Sequence, residues 1–121
     1  MPGIIAIQGN KYTDAATTEK EMKQLNFQLK EFPLLIICDD SDFVSHSLHN
    51  FLWVTFTRSN PSHDIYGIDS FTENKHWGCK DSLIIDARIK PHHAPPLIKN
   101  PEIEKRVDAL GAKGKSLHGI I

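Results

Sequence analysis

The stretch LLIICDDSDFVSHSLHNFLWVTFTR, Leu34 to Arg58, decides the fold. Its opening run, Leu34 to Cys38, is apolar throughout with no polar alternation. A strand of that kind must be covered on both faces, as in the middle of a parallel sheet. The second half, Val44 to Arg58, reads as a helix with Val44, Leu48, Phe51, Leu52 and Thr55 on one face. Trp53, Val54 and Phe56 make the other face apolar too, so this helix is either deeply buried or part of an interface. The β-rich lettering of FLWVTFT also permits a strand.

The acids between the two halves, Asp39, Asp40 and Asp42, have two readings. Carboxylates at the carboxyl end of a central strand can hold Mg²⁺, as receiver-like domains do. Alternatively Ser41 or Asp42 caps the following helix, and the acids favour its positive end. Capping is the stronger reading, because no later strand end offers the Lys and Asp/Thr partners of a Mg²⁺ site. Arg58 suits the negative end of the same helix, with anion binding as its secondary reading.

Elsewhere, IIAIQ (Ile4 to Gln8) reads as a buried strand. Asp14 caps a helix running to about Glu31, with Ala15, Met22, Leu25 and Leu29 as its apolar stripe and Pro33 past its end. DIYGI (Asp64 to Ile68) is a third strand, residues 69–82 are irregular, and SLIID is a short fourth strand. Asn100 caps a last helix, PEIEKRVDALG, with Pro101 at its first position and Gly111 at its end. The order strand, helix, strand, helix, strand implies an α/β fold: a three-layer domain with a short, mostly parallel sheet and flanking helices. One domain over residues 1–111 and a flexible tail over 112–121 are expected.

The 14 Lys and Arg residues nearly balance the 15 Asp and Glu, which gives no electrostatic case for nucleic acid or an anionic membrane. No apolar run approaches the roughly 20 residues that span a bilayer. Two cysteines, Cys38 in the core run and Cys79, suit a reduced, cytoplasmic protein. His46 and His49, His76 with Cys79, and His92 with His93 fall short of the paired spacing that zinc requires. GAKGKS (Gly111 to Ser116) has too few residues between its glycines and the wrong context for a phosphate loop.

A set of features in fixed order resembles the UbiD family of decarboxylases. IICDDSD is similar to that family's strand ending in Asp-Asp-x-Asp. Leu52-Trp53 with Thr57-Arg58 resembles its Leu/Ile-Trp-Ala-x-x-Thr-Arg helix, with Val54 at the Ala position. Pro61 and Asp64 match its Asp-Pro-x-x-Asp, with Asn60 in place of the first Asp. Gly78-Cys79-Lys80 looks like its Gly-x-Lys, Asp86-Ala87 like its Asp-Ala, and LIKNPEIEKRVDALG like its terminal helix. The likeness spans residues 4 to 111.

The resemblance implies the C-terminal, oligomerising and cleft-lining domain of a (de)carboxylase of aromatic or α,β-unsaturated acids. Its cofactors would be prenylated FMN with Mn²⁺ or Mg²⁺ and K⁺, bound mainly by an N-terminal catalytic domain with no counterpart here. The expected partners are a second copy of the chain or that catalytic domain. Lys80 would be the cofactor contact and Trp53 and Phe56 the interface; no catalytic or metal-binding residue is assigned, and the isolated chain would be inactive. The chain begins almost on its first strand, as an excised domain would, and a free-standing small subunit is the other expectation. The alternatives are a non-enzymatic α/β interaction subunit docking through Trp53 and Phe56, and a Mg²⁺-dependent receiver-like domain using Asp39, Asp40 and Asp42.

Overall fold

The structure, a computed structural model, describes residues 2–25, 31–95 and 98–120. Strand β1 (Ile4–Gln8) leads to helix α1 (Ala15–Leu25), then β2 (Leu34–Cys38), α2 (Ser41–His46) and α3 (Leu48–Thr57). Strands β3 (Ile65–Gly67), β4 (Ser70–Glu73), β5 (His76–Cys79) and β6 (Leu83–Asp86) follow, and α4 (Pro101–Gly111) comes last. The main sheet has the order β1-β2-β6-β3, with β1, β2 and β6 parallel.

The apolar run of β2 sits in the middle as its lettering demands, with Leu35 to Cys38 all buried. Leu35 and Ile37 point toward α1, where they pack with Met22, Ile68 and Ile84. Ile36 and Cys38 point the opposite way, onto Val44, Val54 and Ala87. Alternate residues of one strand thus fill two cores, and the domain has three layers. Burial raises the Cys38 thiol to a pKa of about 11, so it behaves as an apolar core residue.

Four expectations need correction. The third parallel strand is β6, not Asp64–Ile68, whose β3 portion runs antiparallel to β6. Residues 69–82 are not irregular: β4 and β5 pair as a hairpin whose neck is closed by Ile68 N–H to Ser82 O and Asp81 N–H to Ile68 O. That hairpin reverses the chain, and β3 therefore meets β6 head to tail. Asn74 and Lys75 take left-handed φ of 50° and 65° between the paired Glu73 and His76, as a tight two-residue turn needs. The base of the hairpin lies so close to β3 that a Cβ at Gly67 would stand 2.6 Å from the Cys79 Cβ.

The helix read from Val44 to Arg58 is two helices. Ser47, in extended backbone, ends α2, and its Oγ accepts the Asn50 N–H at 3.1 Å to begin α3. A serine hydroxyl competes with the ladder in this way. The break rotates the stripe: Val54 and Thr55 are buried, whereas Leu48 and Leu52 are exposed. Finally, the cap of α2 is Asp40, whose Oδ1 accepts the Phe43 N–H at 2.9 Å, not Ser41 or Asp42.

Asp14 does start α1, accepting the Thr17 N–H at 2.7 Å. Thr18 fills the buried stripe beside Met22, while Ala15 is exposed; Leu29 lies outside the described residues. Asn100 caps α4 through the Glu102 and Ile103 N–H groups, with Pro101 at the start of the helix.

Candidate functional site

The carboxyl ends of β2 and β6 lie side by side, the usual location for a site in a parallel sheet. From β6, which ends at Asp86, the chain continues as Ala87-Arg88-Ile89-Lys90, with a bend at Arg88. Asp86, Arg88 and Lys90 are all buried, together with Asp64 from the turn before β3.

The Asp86 carboxylate takes Arg88 Nε on Oδ1 at 2.9 Å and Arg88 Nη2 on Oδ2 at 2.8 Å, a two-pronged ion pair. Nη2 also donates to Thr18 Oγ1 at 2.8 Å, and Nη1 donates to Asn10 O at 2.8 Å and Glu21 Oε2 at 3.3 Å. The Asp86 hydrogen bonds hold the guanidinium pKa above its ordinary value. Lys90 Nζ donates to the carbonyl oxygens of Asp86 (2.7 Å), Arg58 (3.1 Å) and Arg88 (3.1 Å). Asp64 Oδ2 stands 3.5 Å from that ammonium and accepts the Asn60 N–H at 2.7 Å. The Tyr12 ring covers both cations, at 5.5 Å from Arg88 and 5.4 Å from Lys90.

A guanidinium has five N–H groups and an ammonium three, and every one here has a partner. Neither cation has a donor left for a ligand. The cluster is a clasp tying the β1–α1 loop, α1, β6 and the end of α3 together.

Beside the clasp lies an open groove of about 510 Å³ lined by Phe43, Trp53, Thr57, Arg58, Ile89, His93, Ala94 and Pro95. Arg58 is its cation. It donates Nη1 to Asp39 Oδ2 at 3.3 Å and lies 5.3 Å from the centre of the Trp53 ring. Among the described residues no acceptor meets its other N–H groups. Unlike Arg88 and Lys90, it can serve an anion entering the groove. His93, on the same wall, has its pKa lowered, first by burial and next by the Lys90 charge, and its Nδ1 accepts the Lys90 N–H at 3.2 Å.

The residues singled out in the sequence are not gathered at one place. Asp39 Oδ2 accepts from Arg58 and from the Ile89 N–H at 2.8 Å, Asp40 caps α2, and Asp42 sits exposed in the first turn. The three acids are engaged separately, and among the described residues no three His, Cys, Asp or Glu side chains approach closely enough to hold a metal ion. Trp53 and Phe56 are both exposed, at 47% and 75%, and Trp53 meets Phe43 edge-on. Lys80 is exposed beyond β5 and precedes the amino end of β6, at the opposite end of that strand from the clasp. Among the described residues no metal-binding cluster accompanies Lys80. Arg88, Lys90 and Asp64 do not stand out in the sequence as a unit. A signal for Arg88 and Lys90 exists all the same: with Asp86 at the end of β6 they place charges at every second position.

No family model matches the chain. Among curated proteins it is 30% identical over 79 residues to a 4-hydroxybenzoate decarboxylase subunit from Chlamydia pneumoniae, covering 65% of this chain and 14% of that protein. It is 26% identical over 116 residues to an uncharacterized protein of Chlamydia muridarum, covering 90% of this chain and 20% of the other. The chain thus spans a fifth or less of these relatives. Among solved structures it is similar to an evolved dimeric form of the UbiD-class enzyme HmfF from Pelotomaculum thermopropionicum in complex with prFMN. That match has a TM-score of 0.51 at 18% identity and covers 83% of this chain and 21% of the other. The open form of vanillic acid decarboxylase from Sedimentibacter hydroxybenzoicus gives a TM-score of 0.52 at 20% identity, covering 87% and 26%. The fold is similar to that of a part of these two enzyme chains.

Proposed function

We propose that this chain is the C-terminal, oligomerising and cleft-lining domain of a UbiD-like (de)carboxylase of aromatic or α,β-unsaturated acids. Prenylated FMN, its divalent metal and K⁺, and the catalytic side chains belong in this reading to another part of the enzyme. One observation carries it. The two cores of the sheet are closed, yet Phe43, Leu48, Leu52, Trp53 and Phe56 stand in water on α2 and α3. Aromatic residues exposed in number on one surface suit a covering polypeptide, either the catalytic part or a second copy. The fold likeness to one part of much longer enzymes supports the same reading.

Within it, the groove with Arg58 and Trp53 faces the partner, and Lys80 is the contact toward the cofactor. An ammonium placed there would stabilise negative charge developing on an electron-rich ring. The reading of a non-enzymatic interaction subunit rests on the same exposed face; the receiver-like reading has no converging acids to stand on.

Two measurements test the proposal. In sedimentation the chain should associate, and Phe56→Asp should weaken that association at least about tenfold with folding stability within about 0.5 kcal/mol. A strictly monomeric chain contradicts the interface. In a titration with prenylated FMN the isolated chain should bind no stoichiometric flavin, and tight binding would place the cofactor site here instead.

A further inference from the structure

The sheet has two edges, and they are built differently. At one, β3 is three residues long and its chain leaves directly into the β4–β5 hairpin. At the other, β1 is five residues, IIAIQ, without a charge, a proline or a bulge on its pairing to β2. Exposed edges are normally blunted by such devices, because unpaired N–H and C=O groups accept another strand.

The ladder shows which groups are unpaired. Gly3 O accepts the Leu34 N–H at 3.2 Å, and Gly9 N–H donates to Cys38 O at 3.0 Å. In a parallel pair the inward-bonding residues alternate, so Gly3, Ile5, Ile7 and Gly9 face β2. The backbone groups of Ile4, Ala6 and Gln8 face outward, and among the described residues they have no partner. Beside this edge Ile4 and Ala6 line an apolar groove of about 190 Å³ with Val44, Leu48 and Phe51.

We propose that this edge is a strand-addition site whose occupant is β1 of a second copy, paired antiparallel about a two-fold axis at Ala6. The outward residues are spaced symmetrically about Ala6. Such pairing sets Ile4 opposite Gln8, Ala6 opposite Ala6 and Gln8 opposite Ile4, and each pair exchanges both of its backbone hydrogen bonds. A self-complementary patch of this kind is what a two-fold interface requires. No charge lies on the strand, so the two copies bring no like charges together. The four-stranded sheets become one of eight, and the apolar groove continues across the seam, where Leu48, 57% exposed in one copy, gains cover.

The backbone pairing is made by β1 and does not rest on the decarboxylase reading. Ala6→Pro tests it, because the deleted N–H points outward and the bonds to β2 survive. The wild type should form dimers in sedimentation, and Ala6→Pro should weaken them at least about tenfold with an unchanged circular dichroism spectrum. If the proline variant does not fold, amide exchange on the wild type decides. The Ile4, Ala6 and Gln8 amides should be protected in concentrated and not in dilute protein, with Ile5 and Ile7 protected in both. A monomer at every concentration, dimers indifferent to Ala6→Pro, or free exchange at Ala6 in the dimer would overturn the proposal. Phe56→Asp separates the two surfaces: dimers lost there but kept with Ala6→Pro sink the strand pairing and leave the aromatic face standing.

Discussion

The clasp at the end of β6 and the surface of α2 and α3 invert the usual distribution of residues. Two cations and two carboxylates, Arg88, Lys90, Asp64 and Asp86, are buried, while two phenylalanines, two leucines and a tryptophan are exposed. The physical difference is satisfaction. Each buried charge has partners within hydrogen-bonding or ion-pairing distance, so its desolvation is offset inside the chain. The exposed side chains are only partly covered by the described residues. The first region is finished; the second calls for another molecule.

The contrast breaks most severely at Asp86. Asp86→Ala removes both carboxylate oxygens that face Arg88 and leaves two cations buried without their central partner. A loss of about 3–5 kcal/mol is expected in urea denaturation. Against a typical stability of roughly 5–15 kcal/mol, that is a large fraction of the whole. Replacing Asp86 and Arg88 together by Leu and Met should recover part of the loss, since no guanidinium is then stranded and Lys90 keeps Asp64. If Asp86→Ala costs no more than Phe56→Asp, the clasp is not what holds the layers together.

A smaller effect is expected at Asp40, which joins the end of β2 to the exposed surface. Its carboxylate caps α2, the helix that carries Phe43 to the groove. Asp40→Ala should cost about 1 kcal/mol, whereas Ser41→Ala and Asp42→Ala should each stay within about 0.5 kcal/mol. Equal losses at all three would undo the assignment of the cap to Asp40.

How far the sequence can be read depends on the range of the forces involved. LLIIC declares its place because burial on two faces forbids polar alternation, and Asp14 and Asn100 declare helix starts because capping is local. Ser47 hides its break because one hydroxyl outweighs a continuous apolar pattern on both sides of it. DIYGI reads as one of the parallel set because strand direction is decided by the hairpin beyond it, and the Asn74-Lys75 turn lacks the glycine that usually marks a hairpin. The clasp joins residues 67 to 78 positions apart, such as Glu21 and Arg88 or Asn10 and Arg88, and no window along the chain contains both. The exposed aromatics of α3 are legible, since an apolar face left over after the core is filled shows in the lettering itself.

His93 stands where the two regions meet, and its titration sharpens the contrast with the smallest effect. It lines the groove with Trp53, and its Nδ1 accepts the Lys90 N–H, which requires that nitrogen to carry no proton. Burial and the neighbouring ammonium lower its pKa below the ordinary 6.5. Between the folded value and 6.5 the unfolded chain binds more protons, so stability should fall as pH drops through 6.5 and level off below the folded value. The contribution should vanish in His93→Asn, which has no group to protonate. The gap between wild-type and variant urea midpoints should therefore widen in the wild type's favour from about pH 5 to about pH 7.5. A gap that stays constant would mean that His93 is as free to protonate in the fold as in the unfolded chain. The groove wall would then be open to water, and the boundary between finished core and waiting surface would lie deeper, at Lys90 itself.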